Sequence, residues 1–220
     1  MILNFHTHLL KFSNRYSIKN MSDNFDKVPT TGIFSAGIHP WYIKNNTFEI
    51  EMVQLEKALN KLNVVAVGEC GLDKACKTDF QLQENCFKRQ IRLANILKKP
   101  IIVHCVKAFS ETKILLQEEK CSVPVIFHGF NKGRILAEQL VSKGYFLSFG
   151  KYLFQTRTAA VFKMLPLTHI FLETDDATIG IIEIYNKASE LSGTSVEILT
   201  NQIESNARLV FNQRLFLQPD

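Results

Sequence analysis

The chain has 220 residues, 46% of them hydrophobic, an ordinary share for a soluble globular protein and enough for one medium domain with a sizeable core. It holds no run of eighteen apolar residues and no basic, apolar and small-residue succession at its start, so neither a membrane span nor a secretory signal is expected. Its 26 basic and 21 acidic residues leave a formal charge of +5, which permits an anionic substrate without identifying one.

The first apolar run, Met1 to Phe5, reads as a strand over residues 1–6 that delivers His6-Thr7-His8. Side chains two apart on a strand share a face, so the two imidazoles converge, and a shared metal ion is one use for such a pair. The plain alternative is a polar loop after the strand. Residues 9–31 are polar and irregular, with a short strand at 15–19. A strand at 34–38 delivers His39-Pro40-Trp41, and a helix at 48–62 carries Ile50, Val53, Leu55, Leu59 and Leu62 close to helical spacing. The buried-type strand at 64–68 ends in Glu69. A long helix at 79–98 has Asp79 in capping position and Leu82, Cys86, Gln90, Leu93, Ala94 and Leu97 along one side, and Pro100 ends it.

The strand at 101–103 ends in His104, and after a helix at 109–119 the strand at 123–127 ends in His128. A helix at 133–143 stops at Gly144. The strand at 145–149 ends at Gly150, a helix spans 156–164, and the strand at 169–172 ends in Glu173-Thr174-Asp175. The remaining residues are helical. With no repeat and no linker, residues 1–220 read as a single domain.

Short strands alternating with amphipathic helices indicate a parallel α/β architecture. An open doubly wound sheet would usually carry a Gly-rich nucleotide loop after its first strand, and none is present. The expected fold is therefore a distorted or trimmed TIM (β/α) barrel with seven to eight parallel strands, the first crossover being short. Singly, each candidate has a structural explanation: His39 as a turn residue, His104 and His128 as core histidines, Glu69 as a lysine partner, Asp175 as a helix cap. Together, His6, His8, Glu69, His104, His128 and Asp175 all fall at strand ends, and in a β/α barrel those ends lie on the face where active sites are built.

Six motifs then stand in order: His6-Thr7-His8, Gly37-Ile38-His39-Pro40, Gly68-Glu69-Cys70-Gly71-Leu72-Asp73, Pro100-Ile101-Ile102-Val103-His104, His128-Gly129-Phe130 and Glu173-Thr174-Asp175. In these the chain resembles the TatD family of metal-dependent hydrolases, nearly from end to end. The resemblance implies phosphodiester hydrolysis by a two-metal-activated water, typically 3′-to-5′ cutting of DNA or RNA. It implies two divalent metal ions, with His6, His8 and Asp175 on one, Glu69 bridging, and His104 and His128 completing the second site. Asp175 is then the general base, and Glu173, on the same side two residues earlier, a second candidate for catalytic work. His39 and Lys107 are expected to bind substrate phosphate, and Trp41 and Phe130 to stack on bases or simply to pack.

The chain departs from the family at Val106, where an arginine is usual, Lys107 standing one place later, and at Asp176, where a proline is usual. Four histidines suit zinc, manganese or iron better than magnesium, whereas the resemblance points to magnesium or manganese, so the metal stays open among Mg, Mn and Zn. Lys74, Lys77, Lys107, Lys132 and Arg134 fall in or near loops after strands, where they could neutralise phosphates or merely be solvated. Five cysteines, an odd number without disulfide-like spacing, indicate thiols kept reduced in the cytoplasm. The expected partner is nucleic acid as substrate, with no membrane and a monomeric chain. The competing readings are an amide or ester hydrolase on the same scaffold, such as an aminoacyl-tRNA deacylase, and a non-catalytic nucleic-acid-binding barrel.

Overall fold

The computed structural model describes residues 1–9, 16–212 and 215. Among these, the strands are β1 (Asn4–Thr7), β2 (Ser17–Met21), β3 (Ile33–Ala36), β4 (Val64–Asp73), β5 (Ile101–Val106), β6 (Val125–Phe127), β7 (Phe146–Phe149) and β8 (Ile170–Leu172). The helices are α1 (Phe48–Leu59), α2 (Phe80–Leu97), α3 (Phe109–Glu118), α4 (Arg134–Ser142), α5 (Thr156–Phe162), α6 (Ile181–Ser192) and α7 (Val196–Phe211). The strand expected at 15–19 is β2, set two residues later, and Arg15 lies outside the described residues. No α-helix occurs among the described residues before β3, so the trimming extends to the second connection, which holds only a 3-10 turn at Phe25–Lys27. None of the described helices is long and apolar enough to cross a membrane.

Packing divides the described residues into two compact units, one formed by Met1–Lys19 with the chain from Ile126 to Asn212, the other by Asn20–Val125. In the first, β1 pairs in parallel with the start of β2, and β7 pairs in parallel with β6 and β8. Its core is aromatic: Phe5 stacks on Phe171 with ring centroids 4.6 Å apart, and Phe146 and Phe211 lie within 6.3 Å of Phe171. The buried Tyr185 of α6 holds the chain just before β1 in place, its hydroxyl donating to the Leu3 carbonyl (3.0 Å) and accepting from the Leu3 N–H (3.2 Å).

In the second unit β4 lies between β3 and β5, all parallel, and Val64, Val65, Ala66 and Val67 are fully buried. The strand expected at 64–68 continues to Asp73, so Glu69 sits in mid-strand and Asp73 ends it. The physical reason is glycine used for close approach. A Cβ on Gly68 (φ +136°) would stand 2.5 Å from the Ile102 carbonyl oxygen, and one on Gly71 (φ +146°) 2.0 Å from that of His104. These residues bracket Glu69-Cys70 and let β4 run on against β5 through a register shift between Val67 and Cys70.

α1 ends at Leu59 and buries Phe48, Met52, Leu55, Ala58 and Leu59, whereas the expected face residues Ile50, Val53 and Leu62 are exposed. Spacings of four, three and four from Phe48 define the inward stripe, and Ile50 and Val53 fall off it. α2 starts as expected, Asp79 accepting from the Leu82 N–H at 2.9 Å. Its buried side carries two amides, Gln83 and Gln90, among Cys86, Phe87, Ile91 and Ala94. Buried Lys99 donates to the carbonyls of Leu59, Lys61 and Val64, closing the C-terminal end of α1 with a cation.

Gly71→Ala is expected to cost about 2–5 kcal/mol, because the new methyl group meets backbone rather than a movable side chain. Urea denaturation of the variant beside wild type checks this, and an unchanged midpoint would contradict the close approach of β4 to β5.

Candidate metal centre

In the first unit, β1 and the segment after β8 are laced together by backbone. The Asp175 N–H donates to the His6 carbonyl (2.9 Å), and the His8 N–H to the Asp175 carbonyl (3.1 Å). Side chains reinforce this: Asn4 donates to Thr174 Oγ1 (2.9 Å) and accepts from the Thr174 N–H (3.0 Å), while Thr174 Oγ1 donates to Thr7 Oγ1 (2.9 Å). Asp175 adopts φ +53°, the left-handed conformation that aspartate tolerates better than most residues. The outcome is that His6 Nε2 and His8 Nε2 lie 3.3 Å apart, with Asp175 Oδ1 3.5 Å from His8 Nε2 and 3.9 Å from His6 Nε2.

Glu173, fully buried, accepts from the Gly129 N–H (2.7 Å) and from the Ser148 hydroxyl, and its Oε1 lies 3.8 Å from His128 Nδ1. No lysine meets it in these contacts. Burial alone would push its pKa up, but His128, His6 and Ser148 outweigh burial and hold the carboxyl below its usual range. His128, Glu173 and Asp175 also bring ligand atoms within 4.8 Å of one another.

In the second unit, Asn20 at the end of β2 accepts from the Glu69 N–H (2.8 Å) and from Ser35 Oγ (3.2 Å), so β4 is held where its carboxylate is needed. Glu69 Oε1 faces two imidazoles, His39 Nε2 at 3.1 Å and His104 Nδ1 at 2.7 Å. The Trp41 N–H donates to His39 Nδ1 (3.1 Å), which places the ring proton on Nε2, toward Glu69. His39 is thus buried against Glu69.

The other nitrogen of His104 lies 3.3 Å from Asp73 Oδ2. Asp73 in turn accepts from Trp41 Nε1 (2.6 Å) and from the Ala75 N–H (2.7 Å). Burial works against its charged form, yet the bonds from Trp41, Ala75 and His104 hold its pKa below the usual range. A histidine backed by a carboxylate is the arrangement that fixes tautomer and ring orientation at metal sites.

Ligand atoms of His6, His8 and Asp175 lie within 4.8 Å of one another, and so do those of His39, Glu69 and His104. Opposed ligands on an ion bound at about 2.0–2.2 Å stand roughly 4 Å apart, so His6, His8 and Asp175 fit a divalent metal after small adjustment, and so do Glu69 and His104, whereas His39, with its Nε2 proton directed at Glu69, supports that carboxylate instead. Their imidazoles and carboxylates also match its chemistry.

Lys107 follows β5 as an exposed residue at φ +54°. Lys74 pairs with Glu111, and Arg134 with Glu138 at 2.7 Å. Trp41 is 54% exposed and open to stacking, whereas Phe130 is 2% exposed and packs edge-on against Phe149. The base-stacking role considered for Phe130 is therefore replaced by a core role. Asp73 was not among the expected site residues, although carrying the strand to residue 73 places it on the alternation that begins at Glu69. Nothing in sequence spacing marked Asn20 or the Trp41 N–H.

Residues 4–212 match the family model described as TatD related DNase. An uncharacterized metal-dependent hydrolase of Buchnera aphidicola subsp. Baizongia pistaciae is 33% identical over 148 residues, 65% of this chain and 55% of that protein, so the match spans about half of its length. A protein of Pantoea ananatis described as the 3′-5′ ssDNA/RNA exonuclease TatD is 27% identical over 200 residues, 80% of this chain and 76% of that one. The crystal structure of YjjV, a TatD homolog from Escherichia coli K12, superposes with a TM-score of 0.82 at 22% identity, covering 96% of this chain and 99% of that one. That likeness shows the fold, the TIM-barrel-like arrangement of β/α units expected from the strand pattern.

Asp73→Asn should weaken divalent-metal binding about 10–100-fold, because His104 loses the charge that orients it. Calorimetric titration with manganese measures this, and wild-type affinity in the variant would remove Asp73 from the centre.

Proposed function

Because this chain belongs to the TatD family of metal-dependent hydrolases, we propose that it hydrolyses phosphodiester bonds of single-stranded DNA or RNA, working inward from the 3′ end. The observation that carries this reading is the pair of donor sets, His6 with His8 and Asp175, and Glu69 with His104. In this reading His6, His8 and Asp175 hold one divalent ion, Glu69 and His104 hold a second, and His128 is a further ligand. Divalent ions supply Lewis acidity and favour ionisation of water at neutral pH, which suits hydrolysis of a phosphodiester.

The chain's own residues do the rest. The Asp175 carboxylate, one oxygen of which faces His6 and His8, takes the proton from the attacking water. Glu173 places a negative charge beside His128, its Oε1 3.8 Å from the ring's Nδ1, and is itself held by Gly129 and Ser148. His39 donates from Nε2 to Glu69 and steadies that carboxylate, while Lys107 contributes positive charge to the phosphate backbone. Trp41, pinned by Asp73, offers an aromatic face to a base. Support for a nucleic-acid substrate comes from the exonuclease relative of Pantoea ananatis.

A 5′-labelled single-stranded oligonucleotide incubated with manganese or magnesium should shorten in single-nucleotide steps, and a chelator should stop the reaction. Asp175→Asn should lower the rate by at least about 100-fold. Metal binding by calorimetry without any shortening would redirect the assignment to an amide or ester substrate such as an aminoacyl-tRNA.

A further inference from the structure

The His6, His8 and Asp175 donor set has an open side, the side chains of His8 and Asp175 being 36% and 24% exposed. In the same unit, the turn Lys151–Phe154 that follows β7 is pressed against the segment after β8. The Phe149 carbonyl accepts from the Glu173 N–H (3.0 Å), and a Cβ on Gly150 would stand 2.8 Å from the Glu173 carbonyl oxygen. Buried Leu153 fixes the turn, its N–H donating to the Gly150 carbonyl (2.9 Å). Lys151 is thereby set against Asp176, donating to its Oδ1 at 2.5 Å, with the centre of the Tyr152 ring 5.6 Å away. The bond to Asp176 and, at longer range, the charge of Asp175 hold Lys151 as an ammonium. An ammonium carries three donors, so two remain beyond the one that meets Asp176.

Two further cations extend the row. Arg157, exposed in the first turn of α5, reaches the loop before α4, where its Nη2 lies 3.5 Å from the position a Cβ on Gly133 would take. That glycine leaves room for the guanidinium, and Lys132 stands next to it in the chain. Neither Lys132 nor Arg157 meets a carboxylate among the described residues, in contrast to Arg134 on Glu138. Such a row suits a chain of regularly spaced phosphates, and the exposed Phe154, between Lys151 and Arg157, adds a ring for an unpaired base.

We propose that Lys151, Arg157 and Lys132 form the path of the 5′ part of a single-stranded nucleic acid away from the metal centre, each meeting a phosphate, with Phe154 stacking on a base. The proposal rests on the nuclease reading above and deepens it, because the strand is then gripped upstream of the scissile bond. Longer strands therefore bind better than short ones.

The test measures KM and kcat with manganese on a trinucleotide and on a 5′-labelled single strand of twelve nucleotides, over a range of salt. Wild type should show the lower KM on the long strand. Arg157→Met should raise that KM about three- to tenfold and lower the slope of log kcat/KM against log salt by about 0.7, the worth of one phosphate contact on a single strand. Lys151→Met combined with Asp176→Asn leaves the net charge unchanged and should lower the slope by a similar amount, which a loss of overall charge would not explain. A wild type with equal KM on both substrates, or variants that keep the wild-type slope, would overturn the path. Cleavage of neither substrate would overturn the nuclease reading itself.

Discussion

A strand that presents ligands at its end must stop pairing with its neighbours there, and its last N–H and C=O groups lose their ladder partners while still buried. In this chain side-chain carboxamides take over. Gln90 accepts from the Ile38 N–H (2.8 Å) and donates to the Ile38 carbonyl (3.0 Å), just before His39. Gln83 does the same for Asp73, at 2.8 and 3.1 Å. Asn4 serves Thr174, between Glu173 and Asp175, and Asn20 serves the Glu69 N–H. Each amide satisfies backbone and sets the position of a neighbouring ionisable side chain in the same contact, so what stabilises the fold also preorganises the centre.

The ionisable residues are arranged in short relays, not as isolated charges. In one unit Trp41 reaches both ends of a relay: its N–H binds His39 and its indole binds Asp73, while Glu69 and His104 lie between them. In the other, Ser148 and the Gly129 N–H hold Glu173, which faces His128. Desolvation opposes a buried carboxylate, and at Asp73 and Glu173 the surrounding donors win. Both acids stay in the charged form, each facing a neighbouring imidazole.

The order of strands and the place of the histidines and acids near their ends are legible in the sequence, because short apolar runs mark the strands and strand alternation sets which side chains share a face. The length of β4 is not. Gly68 reads as a strand end, whereas the structure uses it to bring two strands together, a role that depends on Ile102, more than thirty residues away. The inward face of α1 is misread because Ile50 and Val53 are as apolar as the residues that are buried, and only the packing on Phe48 and Leu55 decides between them. The contact of His39 with Glu69 is hidden for a related reason: the two lie 30 positions apart, and exposed and buried histidines look alike in a sequence.

Gln83 and Gln90 stand seven residues apart, two turns of α2, so their side chains emerge from one side of the helix about 10.5 Å apart along its axis. The helix therefore works as a ruler between the end of β3 and the end of β4. One residue inserted between them would turn the second amide by roughly 100° around the axis and strand the N–H and carbonyl it serves. Replacement on the solvent side of the same helix, at the 74% exposed Ile96 for example, disturbs no such measure. Among variants of this chain, α2 should accept changes of residue far more readily than changes of length.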